Sequence, residues 1–133
     1  MRQVTVRTER RTQLVDITRR IQDALDGVEN ASAVLVYVPH TTAGITINEG
    51  ADPAVARDLE AAAQRVVEDG WEWEHVEDAD GPNAPSHVRA SFVGPQVLVP
   101  LDAGRLALGT WQAIFFCEFD GPRERKVLLT PLA

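Results

Sequence analysis

Apolar residues recur along the chain mainly at every second position or in short unbroken runs, a pattern typical of β-strands. Val4 and Val6 alternate with polar residues near the start of the chain, whereas residues 33–38 are apolar on both faces. The alternation predicts a half-buried strand, and the unbroken run predicts a central strand covered on both sides. Further strand-like segments occur at 12–15, 44–48, 96–101, 105–108, 111–119 and 126–132.

Two segments show the spacing of amphipathic helices instead. In the first, Thr18 is the expected N-cap and Gly27 marks the expected end, and the apolar positions are Ile17, Ile21, Leu25 and Val28. In the second, Asp52 is the expected N-cap and Pro53 takes the first helical position, where its missing N–H costs nothing. The apolar stripe of this second helix is Val55, Leu59, Ala62 and Val66. A short helical turn is expected at 87–93.

These elements predict an α+β fold with a mixed, mainly antiparallel β-sheet and two main helices, arranged as one sheet or as two packed sheets. A chain of 133 residues, 44% of them hydrophobic, is large enough for one core. Residues 1–133 are therefore expected to form a single domain. Between Gly70 and Ser86 the periodic patterns disappear for roughly 15 residues, and a loop of this length inside a domain is usually functional or disordered. Trp71 and Trp73 make disorder the weaker interpretation.

Charge and composition narrow the classes of function. The net charge of −7 disfavours a nucleic-acid-binding role, because phosphate backbones require a basic face. No segment approaches the roughly 20 apolar residues of a membrane span, and no signal-peptide pattern is present, so we expect a cytoplasmic protein. Cys117 is the only cysteine and lies in an apolar run, which predicts a buried, unreactive thiol.

The three histidines are the strongest candidates for chemistry. His40, His75 and His87 all lie in polar, turn-like sequence, where a fold presents side chains to a ligand. Neutral imidazole is a common ligand of zinc and similar metals, and its titration near neutrality also suits proton transfer. Their spacing matches no local zinc motif, so only folding could bring the three together. Glu49 or Asp52 could add a further ligand, although capping of the second helix is the simpler role for Asp52.

Three segments carry a resemblance to a known family. They read VPHTTAGITINE at 38–49, NAPSHV at 83–88 and GRLALGTWQ at 104–112. With these motifs in this order, the chain resembles the YjbQ family, whose members are described as secondary thiamine-phosphate synthase enzymes. The resemblance implies a small β-rich α+β domain, a homotrimer, and a weak ability to join the pyrimidine pyrophosphate and thiazole phosphate halves of thiamine. Family members often carry Tyr-x-His where this chain has Trp73-Glu74-His75, which loses a phenol.

That reaction alkylates a thiazole nitrogen while pyrophosphate leaves the pyrimidine methylene carbon. It requires cations and hydrogen-bond donors around the departing phosphates, but no side-chain nucleophile. Residues expected to bind a small phosphorylated heterocycle are Arg105, Thr41, Thr42, Asn48, Ser86 and Trp111, although core packing is the favoured role for Trp111. His40, His75 and His87 are expected to line the site, with Glu49 as an acid–base candidate. These imidazoles would hold zinc or a similar divalent metal, or contact phosphate directly. Mg²⁺ would accompany the pyrophosphate and could use acidic residues within 72–80.

Two other classes of function remain open at this point. A noncatalytic protein could hold a metal or a phosphorylated ligand at the same residues, and a metal-assisted hydrolase could act there on a phosphate or lactone. Dinucleotide enzymes, P-loop NTPases and serine hydrolases are disfavoured, because their glycine-rich and nucleophile motifs are missing from the sequence.

Overall fold

The computed structural model describes residues 1–76 and 81–133. Its helices are α1 (Thr18–Asp23), α2 (Pro53–Val66) and α3 (Ala84–Val93). Its strands are β1 (Arg2–Arg7), β2 (Gln13–Asp16), β3 (Ala33–Tyr37), β4 (Ala43–Glu49), β5 (Gln96–Asp102), β6 (Arg105–Leu106), β7 (Gln112–Glu118) and β8 (Glu124–Leu132). Among these helices, none has the length and apolarity needed to cross a membrane.

The strands form two sheets. The larger has the order β1-β8-β3-β5-β6, and the smaller has the order β2-β7-β4. Every recorded strand pair is antiparallel, and β3 is held on both edges, with Val36 opposite Leu129 of β8 and Val97 of β5. The predicted α+β class with antiparallel pairing is confirmed, and of the two arrangements left open the structure has two sheets.

Strand β7 separates two apolar clusters, because its alternate side chains point to opposite faces. Ile114 and Phe116 belong to the main core between the sheets, which also includes side chains of α1. Phe115 and Cys117 point the other way, into a second cluster covered by residues of α2 and α3. The molecule is therefore layered as large sheet, small sheet and helices. Burial raises the pKa of the Cys117 thiol to about 12, in agreement with the predicted unreactive role.

Strand β3 differs from its prediction on one face. Val34 and Val36 are fully buried in the main core. The opposite face is only partly covered, with Leu35 half-buried and Tyr37 exposed. Among the described residues, the helices pack mainly on strands of the smaller sheet, which leaves the outer face of the larger one partly exposed. The expected covering of residues 33–38 on both sides is therefore wrong.

Helix α1 is shorter than the apolar spacing predicts. It ends at Asp23, whereas Leu25 and Val28 are buried from the following loop, in which Gly27 has a φ of 71°. Leu25 and Val28 pack into the core from the loop, so the apolar spacing typical of a helix continues past the end of α1. At its start, Asp16 accepts hydrogen bonds from the backbone and hydroxyl of Thr18, so Thr18 is not the capping residue.

Helices α2 and α3 have different starts. The carboxylate of Asp52 accepts the Ala54 N–H at 2.9 Å, so its predicted capping role is confirmed. Helix α3 begins at Ala84 rather than near His87, which makes it a third helix of 10 residues instead of a short turn. Asn83 occupies its N-cap position but makes no capping hydrogen bond, because its amide is bonded elsewhere.

Candidate functional site

Two of the three histidines lie together at the start of α3. The ring centroids of His75 and His87 are 5.1 Å apart, and the ring planes meet at 81°. His75 belongs to the segment between α2 and α3, and His87 lies in the first turns of α3. The pair lines an open cleft of about 550 Å³, whose other walls are Glu72, Trp73, Glu74, Ala84 and Val88. We call this cavity the histidine cleft.

The proton of His75 has a defined position. Its Nε2 lies 3.0 Å from Oδ1 of Asn83, and Nδ2 of Asn83 donates to Oδ2 of Asp120 at 2.9 Å. Because a carboxylate only accepts, the Asn83 amide must turn its nitrogen toward Asp120 and its oxygen toward His75. The Nε2 of His75 is therefore the donor. In the neutral ring, Nδ1 is left as a hydrogen-bond acceptor or base.

The side-chain amide of Asn83, which sets the proton position of His75, is held in place by other hydrogen bonds. Asn83 is only 5% exposed. Asp120 also accepts from Arg123, whose guanidinium donates to Oδ2 at 2.9 Å and to the Asp120 backbone carbonyl at 2.8 Å. A chain of hydrogen bonds thus runs from Arg123 through Asp120 and Asn83 to His75, and the bonds to the Asp120 carboxylate are charge-assisted.

A buried ion pair ties the two sheets together next to this chain. Glu118 on β7 is fully buried and accepts two hydrogen bonds from Arg125 on β8. The remaining lone pairs of Glu118 accept from the Thr8 hydroxyl at 2.8 Å and the Asp120 backbone N–H at 3.0 Å. Arg125 donates a further bond to Thr42 at 2.8 Å. These bonds compensate both buried charges, and the Asp120 bond joins the ion pair to the histidine cleft.

His40 lies between β3 and β4, and its ring contacts the backbone of β8. Its Nε2 accepts the Lys126 N–H at 2.9 Å, beyond the last β3–β8 pair, Tyr37 with Leu128. The His40 ring thus accepts a backbone N–H of β8 at a position beyond the end of β3, where no β3 carbonyl is paired with it. Burial and the nearby Arg125 charge lower the pKa of His40 from its ordinary value of 6.5. His40 is therefore held as a neutral acceptor.

The structure brings His75 and His87 together without His40. Across the described part of the chain, no three His, Cys, Asp or Glu side chains converge on a position that could hold a metal ion. The three-imidazole metal centre therefore stays a prediction. Of the acidic segment considered for Mg²⁺, Glu77, Asp78 and Asp80 lie outside the described residues.

Two of the predicted phosphate-binding hydroxyls are used inside the protein. Ser86 is fully buried, and its Oγ donates to the Phe119 carbonyl. The buried Thr42 accepts from Arg125. Both side chains stabilise the fold, and neither lines the histidine cleft, so their role as neutral donors to a phosphate stays a prediction. Thr41, one residue earlier, is exposed in the turn after β3.

The remaining predicted residues lie at strand ends. Asn48 is exposed, with its side-chain oxygen accepting the N–H of Glu49, and Glu49 itself is half-buried at the end of β4. Trp111 precedes β7 with 64% of its surface exposed, so the favoured role in core packing is wrong. Arg105 lies on β6 and lines a different cavity from the histidine cleft.

Sequence reasoning assigned no role to Asn83, Glu118, Asp120 or Arg125. A signal for two of them is present in the sequence. Glu118 interrupts the apolar run 114–119, and a charge in a buried strand requires a partner of opposite sign. Arg125, in the next strand, is such a partner. Nothing local indicates that Asn83 would contact a histidine eight residues earlier.

The fold and the cleft define a class of small α+β protein, in which helices cover one of two antiparallel sheets and a histidine pair lies at a helix start. A family model described as UPF0047 protein YjbQ-like matches residues 2–133. The chain therefore belongs to the YjbQ-like UPF0047 family, which confirms the resemblance stated from its motifs.

Individual relatives agree with this assignment. The chain is 44% identical to the UPF0047 protein YugU of Bacillus subtilis over 129 residues, covering 94% of this chain and 93% of the relative. It is also 44% identical to a UPF0047 protein of Methanocaldococcus jannaschii, covering 91% and 86%. A crystal structure of a YjbQ/UPF0047 family protein from Clostridium acetobutylicum, 41% identical, matches with a TM-score of 0.90 over 98% of both chains.

Proposed function

We propose that this protein is a small-molecule enzyme whose reaction takes place in the histidine cleft, with a phosphorylated heterocycle as the substrate. One observation carries the proposal: the His75–His87 pair, with the proton of His75 fixed on Nε2. A pair of imidazoles with one orientation fixed can accept a proton at one ring and donate at the other. Open access to the cleft suits a ligand of metabolite size.

The YjbQ-type reaction provides a specific form of this proposal. The thiazole nitrogen attacks the pyrimidine methylene carbon, the new C–N bond forms, and the C–O bond to pyrophosphate breaks with its electron pair leaving on oxygen. Trp73 and the small apolar residues Ala84 and Val88 provide a surface for flat rings. An imidazolium at His87 would donate a proton to the departing oxygen. The protein need not supply a side-chain nucleophile, which agrees with the burial of Cys117.

The proposed reaction does not require a metal ion bound by the protein. With the proton of His75 on Nε2, its Nδ1 and the neighbouring His87 could together bind zinc or a similar ion. Among the described residues no third donor converges with these two rings, so they do not fit a three-histidine zinc centre. We therefore derive no step through a resident metal, and Mg²⁺ enters only with the pyrophosphate substrate. The homotrimer implied by the resemblance could add residues at the open side of the cleft.

The test is turnover by the purified protein supplied with both thiamine halves and Mg²⁺. We expect thiamine phosphate and pyrophosphate in equal amounts, and a loss of at least about 100-fold in His75→Gln and in His87→Gln, in line with general acid–base catalysis. Ser91→Ala is the matched control, because Ser91 lies on the same helix and is exposed outside the cleft.

The alternative functions give different results in the same assay. Binding of either half without product at any Mg²⁺ concentration would contradict catalysis and support a noncatalytic ligand-binding protein. Hydrolysis of a phosphate ester or lactone that a chelator abolishes would support the metal-assisted hydrolase. Retention of full thiamine-phosphate formation in both histidine variants would reject the histidine cleft as the reaction site.

A further inference from the structure

A second cavity lies on a different part of the molecule. It is an open groove of about 970 Å³ between α1 and the β5–β6 hairpin, and it shares no lining residue with the histidine cleft. Three guanidinium groups face it, those of Arg19 and Arg20 from α1 and that of Arg105 from β6. We call it the arginine groove.

These three arginines differ from most others in the chain. Among the described residues, six arginines lie within 4.0 Å of a carboxylate, namely Arg7, Arg10, Arg11, Arg89, Arg123 and Arg125. Within residues 1–76 and 81–133, Arg19, Arg20 and Arg105 have no such ion pair and no side-chain hydrogen bond. In a chain with 20 acidic residues, three unpaired guanidinium groups facing one groove favour an external anion as their partner.

The groove is rigidly built. Gln22 on α1 donates to the Gly104 carbonyl and accepts from the Leu106 N–H, both at 2.9 Å. These two bonds bracket Arg105 and fix its backbone relative to the helix that carries the other two arginines. The hairpin turn is tight, with Ala103 and Gly104 both at positive φ. A fixed backbone holds the attachment points of the arginine side chains in place, which lowers the entropy lost when a ligand binds.

The other lining groups define the ligand. Asp16 and Asp23 also face the groove, so the local charge is three positive against two negative. One oxygen of Asp16 is already bonded to Thr18. Leu106 and Leu108 add an apolar surface beside the arginines. A compact ligand with clustered charge fits better than a long polyanion, which the net charge of −7 would repel.

We propose that the arginine groove binds the phosphate or diphosphate group of a small molecule. Planar guanidinium forks match the several oxygens of a phosphate, and three of them can surround a diphosphate from two sides. This proposal goes beyond the reaction assigned to the histidine cleft and does not depend on turnover there. It adds Arg19 and Arg20 to Arg105, the only one of the three that the sequence motifs identify.

The test is calorimetric titration with inorganic pyrophosphate, without metal and at constant ionic strength. We expect Arg105→Gln and Arg20→Gln each to weaken binding roughly 10-fold or more, the range for one charge-assisted contact. Arg105→Lys should recover part of the affinity, because it keeps the charge but loses the fork. Asp23→Asn should tighten binding several-fold by removing an opposing charge.

Arg57→Gln is the matched control. Arg57 is exposed on α2, has no recorded ion pair and does not line the groove, so the same loss of charge should leave the affinity within about twofold. Equal weakening in Arg57→Gln and Arg105→Gln would overturn the proposal in favour of diffuse attraction. Absence of pyrophosphate binding to the unaltered protein, or equal affinity for malonate, would also overturn it. So would a loss confined to His75→Gln, which would place the anion in the histidine cleft.

Discussion

Asn83 is the residue on which the orientation of His75 depends. Its amide is bonded at both ends, to an imidazole and to a carboxylate, so neither group can turn without breaking a buried hydrogen bond. Helix α3 gives up its N-terminal side-chain cap for this purpose. A residue that would ordinarily stabilise a helix by capping is used here to fix a tautomer.

Replacement of Asn83 by alanine should release the His75 tautomer. At a pH at which the ring is neutral, long-range ¹H–¹⁵N NMR of the unaltered protein should show the His75 proton on Nε2, and Asn83→Ala should show a mixture of both tautomers. Stability should fall by about 1–3 kcal/mol, because Asp120 loses a buried donor. Asn48→Ala is the control, since Asn48 is an exposed asparagine away from the cleft. An unchanged His75 spectrum in Asn83→Ala would contradict the assignment.

His40 gives stability a dependence on pH. Its pKa is lowered in the folded state by burial and by Arg125, so the unfolded chain binds the proton more readily. This contribution is fully present above pH 6.5, the ordinary value, and is lost as the pH falls toward the lowered folded pKa. Urea unfolding at pH 7.5 and 5.5 should therefore show a larger loss of stability in the unaltered protein than in His40→Gln, which keeps an acceptor for Lys126. Equal losses would contradict this role.

At the scale of elements, the Glu118–Arg125 pair holds the two sheets together. Glu118 is on the middle strand of the smaller sheet, and Arg125 is on a strand of the larger one. Since both are buried, the pair adds little net energy relative to apolar residues, but removal of one partner leaves a buried charge uncompensated. The same ion pair also bonds the backbone of Asp120, and through Asp120 it supports the histidine cleft.

Arg125→Met should lower the free energy of unfolding by about 3–5 kcal/mol, and the double variant Arg125→Met with Glu118→Leu should recover much of that loss. Denaturant unfolding of the three proteins measures both values. Arg7→Met is the matched control, because the Arg7–Glu124 pair is solvent-exposed and its loss should change stability by less than about 1 kcal/mol. A double variant no more stable than the single one would show that the ion pair is itself a large net stabiliser.

At the scale of the whole molecule, several large apolar side chains remain exposed, among them Phe92, Leu98 and Trp111. Such residues mark an interaction site where they form one contiguous patch. The homotrimer implied by the family resemblance stays a prediction. Light scattering coupled to size-exclusion chromatography should give about three times the chain mass of 14.6 kDa. A mass equal to that of one chain across the micromolar range would contradict it.

Much of the fold could be predicted because its signals are local. The alternation of Val4 and Val6 and the Asp52-Pro53 helix start depend on neighbouring residues, and both elements form as predicted. The end of α1 could not be predicted, because Leu25 and Val28 keep helical spacing while packing from a loop. The spacing of apolar residues indicates which side chains are buried, but a buried side chain can belong to a loop as well as to a helix.

The candidate site was only partly predictable for a related reason. The sequence identified the histidines and Arg105 by residue type and motif. It could not separate His40 from the other two, since the distance between imidazoles depends on which strands pair. It also could not show that Ser86 would be buried against Phe119, a contact between residues 33 positions apart.

The sequence by itself determined the α+β class, the family and the residue types able to do chemistry. Periodicity, motifs and the intrinsic chemistry of each side chain are properties of short segments. Only the tertiary structure decided that His75 and His87 form a pair, that Asn83 sets the proton position of His75 and that Arg105 lines a separate groove. These facts depend on which elements pack together: Asn83 contacts Asp120 after β7, and the β5–β6 hairpin contacts α1. Side chains distant in sequence become neighbours only in the folded protein, where each buried polar group requires a hydrogen-bond partner.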